Sequence, residues 1–585
     1  MTNLRSLGAL FAFVALVAAQ HATDVAVPAN LPTRKLGKDV YGYSIEPAEI
    51  LPLFQTDLAS NLLLSISDTI GTPPPIRIGG TTADETYFVR NLNESLIKLQ
   101  PAPNVTIFNI SQSYYSQWSN YFPQGTKLIY TLNFVDNSSA WANAVAEAGA
   151  AWQAAGDKLK KFELGNEVDH YISKGWRNAS WDVAEYVGQW RNLSSQIVAT
   201  EWYRAAADPP KFQAGVIADP PWVPDQQDEV DDLDIINITR AGLTDRSLID
   251  TYAMHLYPQS TCDTERWLRL RLDLLSNHTA LWLNVSQYVP QVAAADSAGI
   301  PLVLGETNSV SCGGRSGISD TFGAALWGVD YVLLAASIGI PELYMHIGGT
   351  SEYSSFVPTS FTSKNESLSA GIRAGFYGHY FIANVVRGTS DDDDDLSVAA
   401  LPGANSSDLS GYAVYGGNQT LKKLVFLDMG IYNGSEGLSN PSTLSSTDNT
   451  DPTYHTKGPR PQYNMTVSTP WVAGQSVNVT RLSGPGTNAK SQVNVSGISF
   501  DPATGKKLGT PAVETLRVGP AGSVQFKLQQ AEAVLLELVG SGASSNGSSG
   551  AGSTSGVVTV SAAENVAFSW WNSMLAMLAV CLCTL

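Results

Sequence analysis

The stretch Lys161-Phe162-Glu163-Leu164-Gly165-Asn166-Glu167 is a short apolar run broken by a glycine and closed by Asn-Glu. A run of this length bounded by Gly suits a buried strand of a parallel sheet, and the polar pair falls where such a strand ends. It is one of eight. The others are Val40–Glu46 (VYGYSIE), Ile76–Gly80 (IRIGG), Leu128–Asn133 (LIYTLN), Lys211–Val216 (KFQAGV), Ile249–Tyr257 (IDTYAMHLY), Leu302–Glu306 (LVLGE) and Glu342–His346 (ELYMH). Between them, segments such as 139–156 (SAWANAVAEAGAAWQAAG) repeat apolar residues at three- and four-residue spacing in a helix-favouring composition. Eight strands with helical crossovers predict an α/β chain whose first domain, residues 20–388, is a (β/α)8 TIM barrel.

Beyond residue 388 the texture changes. Residues 389–540 open with the run Asp391–Asp395 and continue as short alternating segments, among them GYAVYGG, LKKLVFLDMG, QYNMTVS, SVQFKLQ and AVLLELV, separated by Gly, Pro, Asn and Ser. This pattern predicts an antiparallel β-sandwich. The Asp run lacks the interleaved Gly and spaced Glu of a calcium loop, so it reads as a solvated connector.

The chain has 585 residues, 44% hydrophobic and 15% charged, too long for one core and too apolar for disorder. Its 53 acidic residues against 35 basic ones give a net charge of −18, which disfavours nucleic acid as a partner. Residues 1–19 carry Arg5 ahead of an apolar run that closes on Ala18 and Ala19, the form of a cleaved secretory signal peptide. Residues 541–555 are a Gly/Ser linker, and 556–585 end in the apolar tail AFSWWNSMLAMLAVCLCTL. Small residues, spacer and greasy terminus resemble a glycolipid (GPI) anchor signal with attachment within Asn546–Ser555, though a single-pass tail of this length would also span a bilayer. The mature protein is therefore expected outside the cell or on its surface, held to membrane or wall by the lipid. Seventeen Asn-x-Ser/Thr sequons, among them Asn93, Asn104, Asn178, Asn237, Asn365, Asn464 and Asn494, agree with N-glycosylation on that route. Of four cysteines only Cys262 and Cys312 lie outside the signal segments. Both fall in loops after neighbouring strands on one barrel face, where a disulfide is expected; the alternative is two buried thiols.

The chemistry sits at two strand ends. Glu167 closes the fourth run and Glu306 the seventh, in Leu302-Val303-Leu304-Gly305-Glu306-Thr307-Asn308. The carboxyl ends of barrel strands face the active site, so the two carboxylates meet across its mouth. Either alone could cap a following helix. Together they are what double-displacement glycoside hydrolysis needs, an acid/base and a nucleophile about 5–5.5 Å apart. No cofactor or metal is implied, since the histidines lack ligand spacing and no glycine-rich phosphate loop follows a strand.

Four motifs, Ile76-Arg77-Ile78-Gly79-Gly80-Thr81, Gly165-Asn166-Glu167, His255-Leu256-Tyr257 and Gly305-Glu306-Thr307-Asn308-Ser309, resemble the retaining glycosidases of clan A and, more narrowly, glycoside hydrolase family 79, the β-glucuronidase and heparanase family. The resemblance spans residues 40 to about 540. It implies Glu167 as acid/base, Glu306 as nucleophile, Asn166 on the sugar 2-hydroxyl and Tyr257 orienting the nucleophile. It also implies Asp84 on sugar hydroxyls, with helix capping as the alternative, and Gly313 with Tyr353 on a uronate carboxylate. Glu46 and Asn133, which end strands one and three, read as supporting groups, with direct sugar contact as the alternative. Ser311 stands where some members carry a tyrosine; Arg315 is a candidate substitute donor, with a surface role as the alternative. The implied substrate is a glycan ending in β-glucuronic acid or its 4-O-methyl ether, removed by exo-cleavage. Endo-cleavage of sulfated chains is disfavoured by the lack of any basic run. The competing readings are another clan A activity, such as an arabinofuranosidase or β-glucosidase, and a non-catalytic cell-surface protein that grips glycan.

Overall fold

A computed structural model describes residues 20–103, 105–135, 138–218, 233–263, 266, 270–364, 366–388, 395–432 and 459–539. The expected signal segment, linker and anchor tail, the sequons Asn104 and Asn365, and residues 391–394 lie outside them. Eight parallel strands close into a barrel: β1 Tyr41–Ile45, β2 Ile76–Ile78, β3 Leu128–Leu132, β4 Leu159–Leu164, β5 Lys211–Ile217, β6 Ile249–Leu256, β7 Leu302–Thr307 and β8 Leu343–Ile347. Each corresponds to one of the eight runs, and each pairs with its neighbours in sequence, β8 closing on β1. The chain is thus a TIM barrel followed by an antiparallel sheet domain.

Side chains alternate along the strands. Tyr43 and Ile45 of β1, Ile76 and Ile78 of β2, Tyr130 and Leu132 of β3, and Phe162 and Leu164 of β4 all join the apolar core under the helices. The intervening residues Ser44, Arg77, Thr131 and Glu163, buried as well, hydrogen-bond one another inside the ring. A strand's period of two therefore puts a polar layer within the barrel and the apolar one outside it.

The second domain departs from the boundary expected at residue 388. Gln20–Ala26, expected in the barrel domain, pairs in parallel with Gln462–Ser468, which pairs in turn with Ser523–Gln529. Arg34–Lys35 likewise joins Ser397–Asn405 at the edge of the larger antiparallel sheet. Val25 sits with Leu401, Phe426, Val467, Phe526 and Leu536 in the core between the two sheets, and this burial ties the first described strand to the second domain. Ser397–Asn405 is absent from the sequence reading because Pro402-Gly403 interrupts it, and its register slips between Ala400 and Asn405.

The helices Phe322–Ile338 and Ala374–Val386 lie between barrel and sheet, which explains why Phe322–Ile338 (FGAALWGVDYVLLAASI) is apolar on every side. Their close crossing requires Gly378, where a Cβ would stand 2.7 Å from the Ala325 carbonyl oxygen. Among the sequons, Asn178 and Asn93 are exposed, whereas the Asn237 side chain is buried and accepts from Arg240, so the folded chain does not present it to a glycan.

Asp330 is the charged residue of helix Phe322–Ile338. It lies 2.8 Å from His278 Nδ1 and accepts from the Tyr412 hydroxyl of the sheet domain. Burial lowers the His278 pKa, but the charge of Asp330 and its hydrogen bond outweigh burial and raise it. The charged pair therefore stabilises the fold below the ordinary histidine pKa and loses that contribution as pH rises through the raised value. Asp330→Asn should cost about 2–4 kcal/mol. Urea denaturation should show a larger loss at pH 5 than at pH 8.

Candidate active site

The site is built upward from Arg77. Its Nε donates to Glu163 at 2.8 Å, Nη1 to Ser44 and Glu306 at 2.9 Å each, and Nη2 to Asn166 Oδ1 at 2.8 Å. One side chain on β2 thus touches β1, β4, β7 and the turn after β4. The two glycines that follow leave room for this. A Cβ on Gly79 would lie 2.1 Å from Thr131 Oγ1 and 2.8 Å from Arg77 Cζ, and one on Gly80 would lie 2.4 Å from Glu46 Cδ. Gly80 also has φ of 139°, a conformation open mainly to glycine.

After Leu164 the chain turns through Gly165 at φ 80° and Glu167 at φ 52°, both left-handed. A Cβ at Gly165 would meet the Tyr171 hydroxyl at 2.2 Å. Holding a glutamate in this region costs on the order of 1–3 kcal/mol, a strain that clusters at functional positions. On β7, register slips between Leu304 and Thr307 against β8, which re-aims Glu306 at the strand end. A carboxylate oxygen from each glutamate and a ring nitrogen of His255 lie within 4.8 Å of one another. An approach this close suits a double-displacement pair rather than the wider spacing of an inverting one.

The two carboxylates have different surroundings. Glu306 receives the Arg77 guanidinium on Oε2 and the Tyr257 hydroxyl, at 2.8 Å, on Oε1. Burial raises its pKa, while the charges of His346, His255 and Arg77 bring it below the ordinary value. Because burial pushes His346 itself toward its neutral form, Arg77 is the lasting counter-charge. Tyr257 stays a donor, its pKa raised by burial and by Glu306. Glu167 faces His255 at 3.3 Å, His170 at 3.5 Å and Lys174 at 3.6 Å. Burial raises its pKa, but hydrogen bonding to His170 and His255 and the charges of His255 and Lys174 hold it well below the carboxylate range.

A cavity of about 440 Å³ lies over this pair, lined by Glu46, Glu167, Tyr257, Glu306, Gly313 and Tyr353 among others. Gly313 has φ of 89° with open space where a Cβ would point, and the Tyr353 ring lies 6.3 Å from that of Tyr257. Gly314 lets the two loops meet, since its Cβ would stand 2.5 Å from Tyr353 N. Cys262 and Cys312 are joined by a disulfide and line the same cavity. Ser311 lines it too, whereas Arg315 is buried beneath the loop and does not.

Asp84 sits elsewhere than the sugar-binding position expected of it. Its two oxygens accept from the backbone N–H groups of Phe134 and Asn166 and from the Tyr171 hydroxyl, so it braces the Asn166 turn from behind. Burial pushes its pKa up to about 6. Asn166 is buried against Arg77, and Asn133 donates to the Asp84 and Thr86 carbonyls. Glu46 does line the cavity, and burial with the Glu306 charge pushes it up to about 7. The sequence reading passed over Glu163 and His346. Both carried a signal: an ionisable residue at an inward position of a strand. Glu167, His255 and Glu306 are, among the described residues, the one cluster with metal-ligand spacing. The Arg77 charge on Glu306 works against a cation there.

A barrel bearing carboxylates at the ends of its fourth and seventh strands defines the class: a glycoside hydrolase of the clan A type. Residues 411–535 match the glycosyl hydrolase family 79 C-terminal beta domain. A β-glucuronidase of Aspergillus niger is 30% identical over 511 residues, covering 83% of this chain and 87% of its own length. One of Neurospora crassa is 28% identical over 530 residues, covering 84% and 90%. The crystal structure of a 4-O-α-L-rhamnosyl-β-D-glucuronidase from Fusarium oxysporum superposes with a TM-score of 0.67 at 24% identity, over 89% of this chain and all of that one. A GH51 arabinofuranosidase from Xanthomonas axonopodis shares the fold at TM-score 0.55 and 11% identity, over 88% of this chain and all of that one. The chain belongs to glycoside hydrolase family 79.

Removing Arg77 leaves Glu163 as an uncompensated charge in a dry interior. Arg77→Met should cost about 3–5 kcal/mol in urea denaturation. Arg77→Met with Glu163→Met should recover part of that stability while turnover of an aryl glycoside stays lost, because Glu306 remains without its counter-charge.

Proposed function

We propose that the protein is a retaining exo-β-glucuronidase that removes terminal β-glucuronic acid, or its 4-O-methyl ether, from glycans. The observation that carries it is the approach of Glu167 and Glu306 to within 4.8 Å at the strand-four and strand-seven positions. The kinship with two fungal β-glucuronidases over more than four fifths of the chain supports the glucuronide as substrate. Glu306, kept ionised by Arg77 and oriented by Tyr257, attacks the anomeric carbon while Glu167 protonates the leaving oxygen. Glu167 then takes a proton from water, which opens the glycosyl ester with the β configuration retained. The Gly313 N–H and the Tyr353 hydroxyl receive the uronate carboxylate.

Proton NMR should show the β anomer as the first product. Glu306→Ala and Glu167→Ala should each lower kcat/KM by several orders of magnitude. With azide and an activated aryl substrate, Glu167→Ala should give the β-glycosyl azide and Glu306→Ala the α. A first product of α configuration would overturn the retaining assignment, and faster turnover of aryl β-glucoside than of aryl β-glucuronide would overturn the substrate.

The lowered Glu167 pKa sets the pH profile. The acid must carry its proton, so kcat/KM should fall on the basic limb as pH rises through that value, giving an acidic optimum. Lys174→Met removes a charge 3.6 Å from Glu167 and should move this limb to higher pH.

The signal-like start and the anchor-like tail support a site of action on the cell surface, through a glycolipid added within Asn546–Ser555. Phosphatidylinositol-specific phospholipase should release the protein from membranes. Retention with an intact Leu585 would mean a spanning tail.

A further inference from the structure

Two further carboxylates line the cavity over Glu167 and Glu306. Glu46 and Glu49 belong to the turn after β1, and they face the cavity beside Gly348 and Ser351 of the loop after β8. β8 neighbours β1, and β4, which carries Glu167 at its end, stands across the ring from β8. Because Glu167 protonates the leaving oxygen, the leaving group departs on the β4 side, and the opposite end of the sugar points to the loops of β8 and β1. With the C5 carboxylate at Gly313 and Tyr353, after β7 and β8, the next ring carbon at that end is C4. Its hydroxyl therefore lies where β8 and β1 meet.

The two glutamates there differ in what they have free. Glu46 accepts on Oε1 from the Thr81 N–H and on Oε2 from the N–H and hydroxyl of Thr82. The Glu49 carboxyl accepts one bond, from the Gly349 N–H to Oε2 at 2.7 Å. Its Oε1 takes none from any described residue and is not shut away from solvent. Glu49 is thus pinned by one oxygen and open at the other.

We propose that Glu49 is a specificity-determining residue whose Oε1 accepts the 4-hydroxyl of the terminal uronate, so that the enzyme prefers the free glucuronide to its 4-O-methyl ether. This rests on the glucuronidase reading above. A carboxylate accepts hydrogen bonds and gives none. A free hydroxyl can meet it, whereas an ether oxygen is itself only an acceptor, and the methyl group would cover the charged oxygen and drive off the water that solvates it. A site built to bind a hydroxyl rejects the analogue without one, because its own polar group is left unpaired. The carboxyl is also held between two loops. The Glu49 N–H donates to the Glu46 carbonyl at 2.9 Å on one side and Gly349 holds Oε2 on the other, so turning away from the ether would break the Gly349 bond.

The competing account is that Glu49 only ties the turn after β1 to the loop after β8. Substrates altered at C4 separate the two. Wild-type kcat/KM should be about 10- to 100-fold higher for an aryl β-glucuronide than for its 4-O-methyl ether, the size of a hydrogen bond to a charged group, and the 4-deoxy analogue should fall as far as the ether. In Glu49→Gln the amide oxygen can keep the Gly349 N–H while the NH2 turns to the sugar, a donor that suits an ether as well as a hydroxyl. Its kcat/KM for the glucuronide should drop about tenfold, and that for the ether should stay within about threefold of wild type. An equal fall on both substrates in Glu49→Gln, or an undiminished preference for the free hydroxyl, would reduce Glu49 to a loop tether. A wild type that turns over the ether or the 4-deoxy analogue as fast as the parent would overturn the hydrogen bond itself. Wild-type preference for an aryl β-glucoside over the glucuronide would instead overturn the glucuronidase reading, and this proposal with it.

Discussion

A single guanidinium in the dry interior of the barrel fixes the site. Arg77 is fully buried and meets Glu163, Ser44, Glu306 and Asn166 at 2.8–2.9 Å. Taking three charges out of water is costly, and apolar side chains of equal volume would fill the same space at no loss of stability. What they would not supply is position. The fork geometry of arginine holds Glu306 on one edge and the Asn166 turn on another, and Glu163 balances the charge from below. Thr131 and Gln213 complete the shell around Glu163, so the network's polar groups find partners within the barrel. The ordinary all-apolar filling of a small barrel is given up in the layer beneath the active site.

The antiparallel domain takes part in the same construction. Its loop backbone at Ala489 and Thr487 accepts from the N–H groups of Phe322 and Gly323, at the head of the helix that follows β7. Lys490 from that loop pairs with Asp320 at 3.0 Å and donates to Ser316. Asp320 in turn accepts from the Gly317 N–H, and Glu352 from that of Ser316. The loop that carries Gly313 and Gly314 is thus held by charged contacts from the second domain on one side and by the disulfide on the other. A glycine-rich loop with left-handed residues at Cys312, Gly313 and Gly314 would otherwise be expensive to order.

The eight strands were legible because each is a short apolar run bounded by a turn signal, and Glu167 and Glu306 were legible because strand ends of a barrel have one destination. Arg77 was visible in its motif, but its partners were not, since nothing local connects residue 77 to residues 163 and 306. Glu163 was read as part of a strand. Its inward position follows from the alternation with Phe162 and Leu164, and a charge at such a position demands a counter-ion. Asp84 was misplaced for the opposite reason. Next to a catalytic motif an aspartate looks like a ligand, yet its oxygens are consumed by two backbone N–H groups and a tyrosine, which only three-dimensional placement reveals. The N-terminal strand escaped because its partner lies more than 400 residues away, at Gln462–Ser468.

On the proposed assignment, the unequal settings of the two glutamates account for their division of labour. Glu306 is held by a permanent cation that water does not reach, so filling the cavity leaves its charge in place. Glu167 depends on His170 and Lys174, which sit nearer the rim, and on the charge state of its neighbour. Within 4.8 Å each carboxylate raises the pKa of the other. While Glu306 is ionised, it therefore favours the proton on Glu167, and a sugar ring that excludes water from Glu167 adds to the burial that already raises it. Forming the glycosyl ester removes the Glu306 charge. Glu167 then keeps only the neighbours that lower its pKa, and the residue that has just given up a proton is left as a base for the incoming water.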